Sequence, residues 1–259
     1  MIAGKKVVVV MPAYNSEKTL VRTYEEVMAQ QIVDLVIVVD DASRDSTVEV
    51  ARTLPHAKVI LHPRNRGYGG NQKSCYAAAL AEGADIVIMV HPDYQYTPKL
   101  IPAMASMISC GLYSTVLGSR ILGGYAIEGG MPAWKYIANR GLTLACNMLF
   151  KAKLSEYHTG YRAFSRELLL KLPIDENSDD FVFDNQMLAQ ILWLGGKIAE
   201  ITCPTLYFPD ASSINFRRSV KYGFGCLWTG VQFRLALWHW IAPPFLPKAS
   251  QASAHAATA

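Results

Sequence analysis

No stretch of this chain supplies the roughly 20 uninterrupted apolar residues that cross a bilayer. The longest apolar segment, residues 222–246, is divided by Arg234, so a membrane-spanning helix is not expected. No two cysteines form a CxxC pair. Cys75, Cys110, Cys146, Cys203 and Cys226 are scattered, which excludes zinc-finger spacing, and their odd count points to reduced thiols in a cytosolic protein. The opening Met1-Ile2-Ala3-Gly4-Lys5-Lys6 leads into a short apolar run that ends before Pro12, so no signal peptide is expected. Charged residues are sparse at 18%, with a net charge of +4. That balance is too weak to argue for nucleic acid as a partner, and it suits phosphorylated substrates or an anionic membrane surface. Internal repeats are absent, and no G-x-G-x-x-G follows the first apolar run, which weakens a dinucleotide reading.

Hydrophobic content, in contrast, is high: 51% of 259 residues, enough for one large core or two small ones. Runs rich in β-branched residues recur at 7–11, 35–40, 57–62 and 85–90, separated by segments of helix length. Continuous apolar strands alternating with helices predict an α/β fold, a mostly parallel central sheet flanked by helices on both faces. Leu20, Tyr24, Val27 and Met28 have the spacing of one helical face. Ser46 and Glu49 have capping-box spacing, and Gly70-Asn71 is expected to open an alanine-rich helix ending near Gly83. Beyond residue 95 the pattern is less regular: a strand at 114–119, a glycine-rich loop at 123–130, a helix over 132–150, a loop at 157–162, helices near 166–172 and 183–194, and a strand at 197–203. The small, polar tail after Pro247 is expected to be disordered.

Each of the first four strands ends in residues able to bind a ligand. Met11-Pro12-Ala13-Tyr14-Asn15 follows the first, and Asp40-Asp41-Ala42-Ser43-Arg44-Asp45-Ser46-Thr47 the second. Asn65-Arg66-Gly67-Tyr68-Gly69-Gly70-Asn71 follows the third and His91-Pro92-Asp93-Tyr94-Gln95 the fourth. Carboxyl ends of neighbouring parallel strands line the crevice where open α/β sheets bind ligands. An aspartate there can accept a base N–H or a ribose hydroxyl, and glycines allow close backbone approach. Asp93 and Gln95 could hold a divalent cation against a diphosphate, because magnesium or manganese prefers hard oxygens and draws most of its shell from water and phosphate. The competing reading for Asp40, Asp41 and Ser46 is helix capping.

Taken in order and spacing, Pro12-Ala-Tyr-Asn15, Val39-Asp-Asp-Ala-Ser-Arg-Asp-Ser-Thr47, Asn65-Arg-Gly-x-Gly-Gly70 and Asp93-x-Gln95 resemble family 2 glycosyltransferases of the GT-A fold. Gly118-Ser119-Arg120, Thr159-Gly160-Tyr161-Arg162-Ala163-Phe164 and Ile198-Ala199-Glu200-Ile201 extend the likeness toward the polyprenyl-phosphate sugar transferases, the branch containing dolichyl-phosphate mannose synthase. The resemblance covers about residues 5–208. It implies a UDP- or GDP-linked sugar donor, a Mn2+ or Mg2+ cofactor, and transfer with inversion at the anomeric carbon to a polyprenyl phosphate or a glycan acceptor. By position, Pro12, Tyr14, Asn15, Asp41 and Gly70 correspond to the nucleotide site, Asp93 and Gln95 to the metal and diphosphate site, and Arg120 and Arg162 to arginines near phosphate. The chain departs from the family twice. His91 stands where the first carboxylate of Asp-x-Asp is usual, which makes it a candidate nitrogen ligand to the metal, and Phe208-Pro209-Asp210-Ala211-Ser212-Ser213 replaces an Arg-x-x-Gly-x-Ser-Lys stretch.

A hydroxyl acceptor would require a carboxylate to take its proton, whereas a phosphate acceptor is already ionised. Asp184 is the candidate for that catalytic carboxylate beside Asp93, its competing reading being a charge at a helix start. Expected boundaries are a catalytic domain at 1–210, with a nucleotide-binding half at 1–95 and an acceptor half at 96–210, then an amphipathic extension at 211–247 and the tail at 248–259. The extension holds three of the five tryptophans and follows Arg217, Arg218 and Lys221, which suits a helix lying in a headgroup layer or an oligomer interface. The protein is thus expected to be cytoplasmic and peripheral on the membrane. Two alternatives remain at this stage: transfer to a sugar or other hydroxyl, and a catalytically impaired nucleotide-sugar-binding subunit, the latter motivated by His91.

Overall fold

A computed structural model describes residues 1–205, 207 and 216–248. Among the described residues seven strands form one sheet: β1 (Val7–Ala13), β2 (Leu35–Asp40), β3 (Ala57–Leu61), β4 (Ile86–Met89), β5 (Thr115–Ser119), β6 (Arg162–Ser165) and β7 (Ile198–Thr202). Their spatial order is β3-β2-β1-β4-β6-β5-β7. All pairings are parallel except those of β6, which runs antiparallel between β4 and β5. The α-helices of the described residues are α1 (Leu20–Met28), α2 (Thr47–Thr53), α3 (Gly67–Ala81), α4 (Ile101–Ser109), α5 (Ala133–Phe150), α6 (Arg166–Leu169), α7 (Phe183–Trp193) and α8 (Phe216–Leu237).

Alternation along β1 shows why the runs are continuously apolar. Val8 and Val10 face a core built with Cys75 and Tyr76 of α3, Phe183 and Met187 of α7, and Phe233 of α8. Val7, Val9 and Met11 face the other way, onto Leu20 and Tyr24 of α1 and Met104 of α4. With period-2 geometry and helices on both sides, every position of the strand is buried.

Three local expectations are corrected. No strand is expected between the loop at 157–162 and the helix near 166, yet residues 162–165 form strand β6; it opens on an arginine and is only four residues long, so it carries no apolar period. Helix α3 starts at Gly67, not Gly70; position 67 requires glycine, since it adopts φ +84° and a side chain there would lie 2.7 Å from the carbonyl of Asp179. Ser46 precedes α2 but makes no capping hydrogen bond through its side chain. Asp45 caps instead, its Oδ1 accepting from the Thr47 amide at 3.1 Å and hydroxyl at 2.5 Å. The replacement stretch at 208–213, residues 211–215 of the expected extension, and the tail from 249 lie outside the described residues.

Candidate active site

The carboxyl ends of β1, β2 and β4 converge on one crevice. Beyond β1, Tyr14 is exposed, and Asn15 sits in the left-handed region at φ 51°, which asparagine tolerates. Asn15 is stitched to the β2 loop: its amide donates to Ser43 Oγ and its Oδ1 accepts from the Arg44 amide, each at 2.9 Å. Pro12 is buried within β1.

Asp41, 4% exposed, is engaged by the protein itself. Its carboxylate accepts from the amides of Arg66 at 2.8 Å and Gly67 at 3.0 Å and lies 2.7 Å from His62 Nδ1. An anion is thereby set at the amino end of α3, where unpaired N–H groups and the helix dipole favour one. The next donors of that turn, the amides of Gly69 and Gly70, reach the carbonyl of Asp179 at 2.8 and 3.3 Å. The close approach that the glycines permit is thus made by the chain's own residues 178–179, a Cβ on Gly69 falling 2.3 Å from the Ser178 carbonyl. Asp41 acts on the site through the loop it holds. Asp41→Ala should accordingly lower stability by about 2 kcal/mol, the scale of hydrogen bonds to a charged group, and Asp45→Ala by about 1 kcal/mol through the lost cap of α2. Equilibrium denaturation checks both; an undisturbed Asp41→Ala protein would mean that this carboxylate does not secure α3.

At the β4 exit, Tyr94 takes φ 59°, uncommon for an aromatic residue, and Asp93 Oδ1 accepts from the Gln95 amide at 3.1 Å. The guanidinium of Arg22 lies 3.8 Å from the centroid of the Tyr94 ring and covers it. Burial raises the pKa of the Tyr207 phenol against the opposing charge of Arg120, Glu156 adds to the rise, and Asp93 at the crevice is close enough to contribute last. Among the described residues no three His, Cys, Asp or Glu side chains gather as a cage for a metal. The donor set, one carboxylate and one amide at a crevice edge, fits a cation that takes most of its ligands from a diphosphate.

His91 belongs to a second network. Its Nε2 is 3.2 Å from the Tyr68 hydroxyl, which donates to Asp184 Oδ2 at 2.8 Å. Gln72 Nε2 donates to Asp184 Oδ1 at 3.1 Å. Burial, then the neighbouring Asp184 charge, pushes the Tyr68 pKa far up, so the hydroxyl keeps its proton. An ionised carboxylate only accepts; Tyr68 must therefore donate to Asp184, and its oxygen accepts from His91. The proton of a neutral His91 is consequently on Nε2, and only Nδ1 can offer a lone pair. Gly160 is needed here, since a Cβ would come within 2.6 Å of that Nε2.

The two arginines are both tied inward. Arg162, fully buried, donates to the carbonyls of Thr159, Asp184 and Tyr157 at 2.8, 2.9 and 2.9 Å. Arg120 donates through Nε to Glu156 Oε1 at 2.8 Å and through its Nη atoms to Tyr207 Oη, the His158 carbonyl and, more closely, Glu156. Burial would raise the Glu156 carboxyl, but Arg120 and the amide of Asn139 hold it below its ordinary range. Motif reading found the arginines but not their partners: Tyr68 fills the variable place of Asn-Arg-Gly-x-Gly-Gly, and Glu156, His158 and Tyr207 carry no spacing signal of their own.

His158 gives the site a pH dependence. Its Nδ1 is 2.8 Å from Tyr222 Oη, and Nε2 is enclosed without a partner. Burial, outweighing attraction to Glu156, lowers its pKa to about 4 from 6.5. The unfolded chain then binds more protons than the folded one between those values, so stability is complete above about pH 6.5 and falls as pH drops toward 4, by up to ~3 kcal/mol. Denaturation midpoints from pH 7 to 4.5 should show this slope, and His158→Gln should flatten it.

The strand order, with one antiparallel strand set into a parallel sheet and a carboxylate at the β4 exit, defines a GT-A type glycosyltransferase. The sequence profile described as Glycosyl transferase family 2 matches residues 8–172, and the chain belongs to that family. A low-salt glycan biosynthesis hexosyltransferase, Agl6 of Haloferax volcanii, is 30% identical over 233 residues, 88% of this chain but 52% of its own length, so this chain spans about half of that relative. An undecaprenyl-phosphate mannosyltransferase of Micrococcus luteus is 24% identical over 248 residues, covering 90% of this chain and 100% of its own. A UDP-N-acetylglucosamine–dolichyl-phosphate N-acetylglucosaminyltransferase of Methanococcus voltae is 29% identical over 184 residues, covering 65% and 72%. Among solved structures, glucosyl-3-phosphoglycerate synthase of Mycobacterium tuberculosis with UDP superposes with a TM-score of 0.70 at 20% identity, over 90% of this chain and 81% of that one. The same enzyme has been solved with Mn2+ and UDP-glucose, at a TM-score of 0.66 and 20% identity, covering 95% and 82%. At such identity these structures establish the fold alone.

Proposed function

We propose that the protein moves a sugar from a UDP- or GDP-linked donor to a polyprenyl phosphate at the cytosolic face of a membrane, with inversion. The observation that carries the reading is Asp93, held by the strained turn at Tyr94 at the β4 exit, in a chain whose relatives include transferases named for undecaprenyl and dolichyl phosphate. In this reading Asp93 and Gln95 hold the cation, Mn2+ or Mg2+, which when bound stabilises charge on the departing diphosphate. Tyr14 and the loop fixed by Asn15 and Asp41 take the nucleoside. A phosphate oxygen of the acceptor attacks the anomeric carbon, the bond to the donor diphosphate breaks, and its electron pair leaves on the diphosphate oxygen. Arg120 would meet phosphate by exchanging Glu156 for it, while Arg162 braces Asp184 and the 157–159 loop.

Asp184 favours phosphate over a hydroxyl acceptor. Both of its oxygens accept hydrogen bonds from buried neighbours, an arrangement suited to fixing a carboxylate and poorly suited to taking a proton from substrate. The test is transfer of radiolabelled sugar from a panel of UDP- and GDP-sugars to a short-chain polyprenyl phosphate, with manganese or magnesium. A labelled lipid of inverted configuration supports the reading. Transfer only to soluble hydroxyl acceptors, or donor binding without transfer to anything, overturns it.

A further inference from the structure

Helices α5 and α8 lie side by side and run in the same direction. A Cβ on Gly223 would contact Leu142 at 3.8 Å and one on Gly230 would meet Leu149 at 2.7 Å, so both contact points advance together along the two chains. At about 100° per residue, positions just before the contacts on α5 and just after them on α8 turn to the same side of the pair. That side is apolar and exposed: Trp134, Ile137 and Met148 on α5, Phe224 and Trp228 on α8, with Ile137 and Phe224 each 69% exposed. Trp240, in the turn that follows α8, is 72% exposed.

The charges of the two helices have a single sign. Helix α5 carries Lys135 and Arg140, helix α8 carries Arg217, Arg218, Lys221 and Arg234, and neither has an acidic residue. These six basic residues exceed the chain's whole net charge of +4, so the remainder of the protein is net negative. Lys221 is paired with Asp180 at 2.8 Å, so the basic excess of the two helices rests on Lys135, Arg140, Arg217, Arg218 and Arg234. Exposed tryptophans beside such charges match the headgroup layer of an anionic bilayer, where indole rings and Lys or Arg side chains are both favoured. The opposite, core-facing side of the same two helices packs on the candidate site. Tyr222 of α8 meets His158, and Asn139 of α5 donates to Glu156 at 2.8 Å, the partner of Arg120.

We propose that the paired exposed face of α5 and α8 docks the protein on an anionic lipid bilayer surface. The proposal rests on the polyprenyl-phosphate reading for its purpose, and its test is independent of transfer. The full chain is sedimented with phosphatidylcholine vesicles, with and without phosphatidylglycerol. Partitioning should be about tenfold or more stronger with the anionic lipid, given roughly 1 kcal/mol for each basic residue near such a surface, and should fall at high salt. Phe224→Ser with Trp228→Ser should abolish it while thermal melting and nucleoside-diphosphate titration stay as in the parent. Should that pair destabilise the fold, Arg217→Glu on the exposed first turn of α8 supplies the same comparison. Equal binding to both vesicles, or none, overturns the proposal. So does a stable dimer in light scattering that the double substitution separates, which would assign the face to a second copy. Vesicle binding without transfer to polyprenyl phosphate would remove the proposed reaction and leave the surface standing.

Discussion

Asp93→Asn should reduce sugar transfer on the order of 100-fold or more at saturating metal, the usual consequence of removing one main electrostatic contact to developing charge. The substitution keeps the shape of the side chain, and an amide oxygen can still accept from the Gln95 amide, so the turn at Tyr94 should survive and the melting temperature should scarcely move. It removes the negative charge at the β4 exit. With His91 in place of a second carboxylate, no neighbouring acid in the 91–95 turn compensates, so the loss should exceed that of a single substitution in a site with two acidic ligands. The charge alteration has a readout besides activity: titration of Mn2+ with a nucleoside diphosphate should show weaker joint binding in Asp93→Asn, while the metal-free nucleotide, relieved of a nearby negative charge, should bind no worse. Transfer within threefold of the parent would detach Asp93 from the metal role altogether.

The parts of this molecule legible in its sequence are those whose physics is local and periodic. Runs such as 7–11 and 35–40 are apolar at every position because helices cover both faces, and that uniformity announces a parallel sheet. Their exits were recognisable because turn-forming and ligand-capable residues cluster there. What the sequence hid was decided by partners far along the chain. Arg120 and Arg162 read as phosphate ligands, since an arginine in a motif says nothing of Glu156 or of the three carbonyls that engage it in the fold. Asp41 read as a base or ribose acceptor, yet it caps a helix that begins 26 residues later, through Gly67. The glycines of 67–70 suggested space for a ligand, and the closest neighbour of Gly67 and Gly69 is the backbone of 178–179, more than 100 residues away. Strand β6 escaped because antiparallel insertion between β4 and β5 is a property of topology, and four residues beginning with a buried arginine have no period to detect.

Tyr68→Phe is the sharpest test of how His91 came to replace a carboxylate. In the structure the Tyr68 ring stacks between His91 and Phe181, at centroid distances of 5.5 and 4.8 Å, and its hydroxyl links His91 to Asp184. Phenylalanine preserves the stacking and deletes the link. Loss of a buried hydrogen bond to a carboxylate costs about 1.5–3 kcal/mol, and if the link from His91 to Asp184 serves transfer, kcat should fall about tenfold or more with the donor KM unchanged. A purely structural role would instead lower the melting temperature and leave the ratio of kcat to KM effects unspecific. The same link decides the metal chemistry of His91. With its Nε2 committed to Tyr68, His91 can meet a cation only through Nδ1, and nitrogen ligation favours manganese over magnesium. His91→Asp, restoring a carboxylate pair with Asp93, should then shift the preference toward magnesium, and it should also relieve the enzyme of part of its dependence on Tyr68. If the metal preference is unchanged in His91→Asp, the imidazole serves only to position Tyr68 and Asp184; if Tyr68→Phe is as active as the parent, the chain of hydrogen bonds from His91 to Asp184 has no part in transfer.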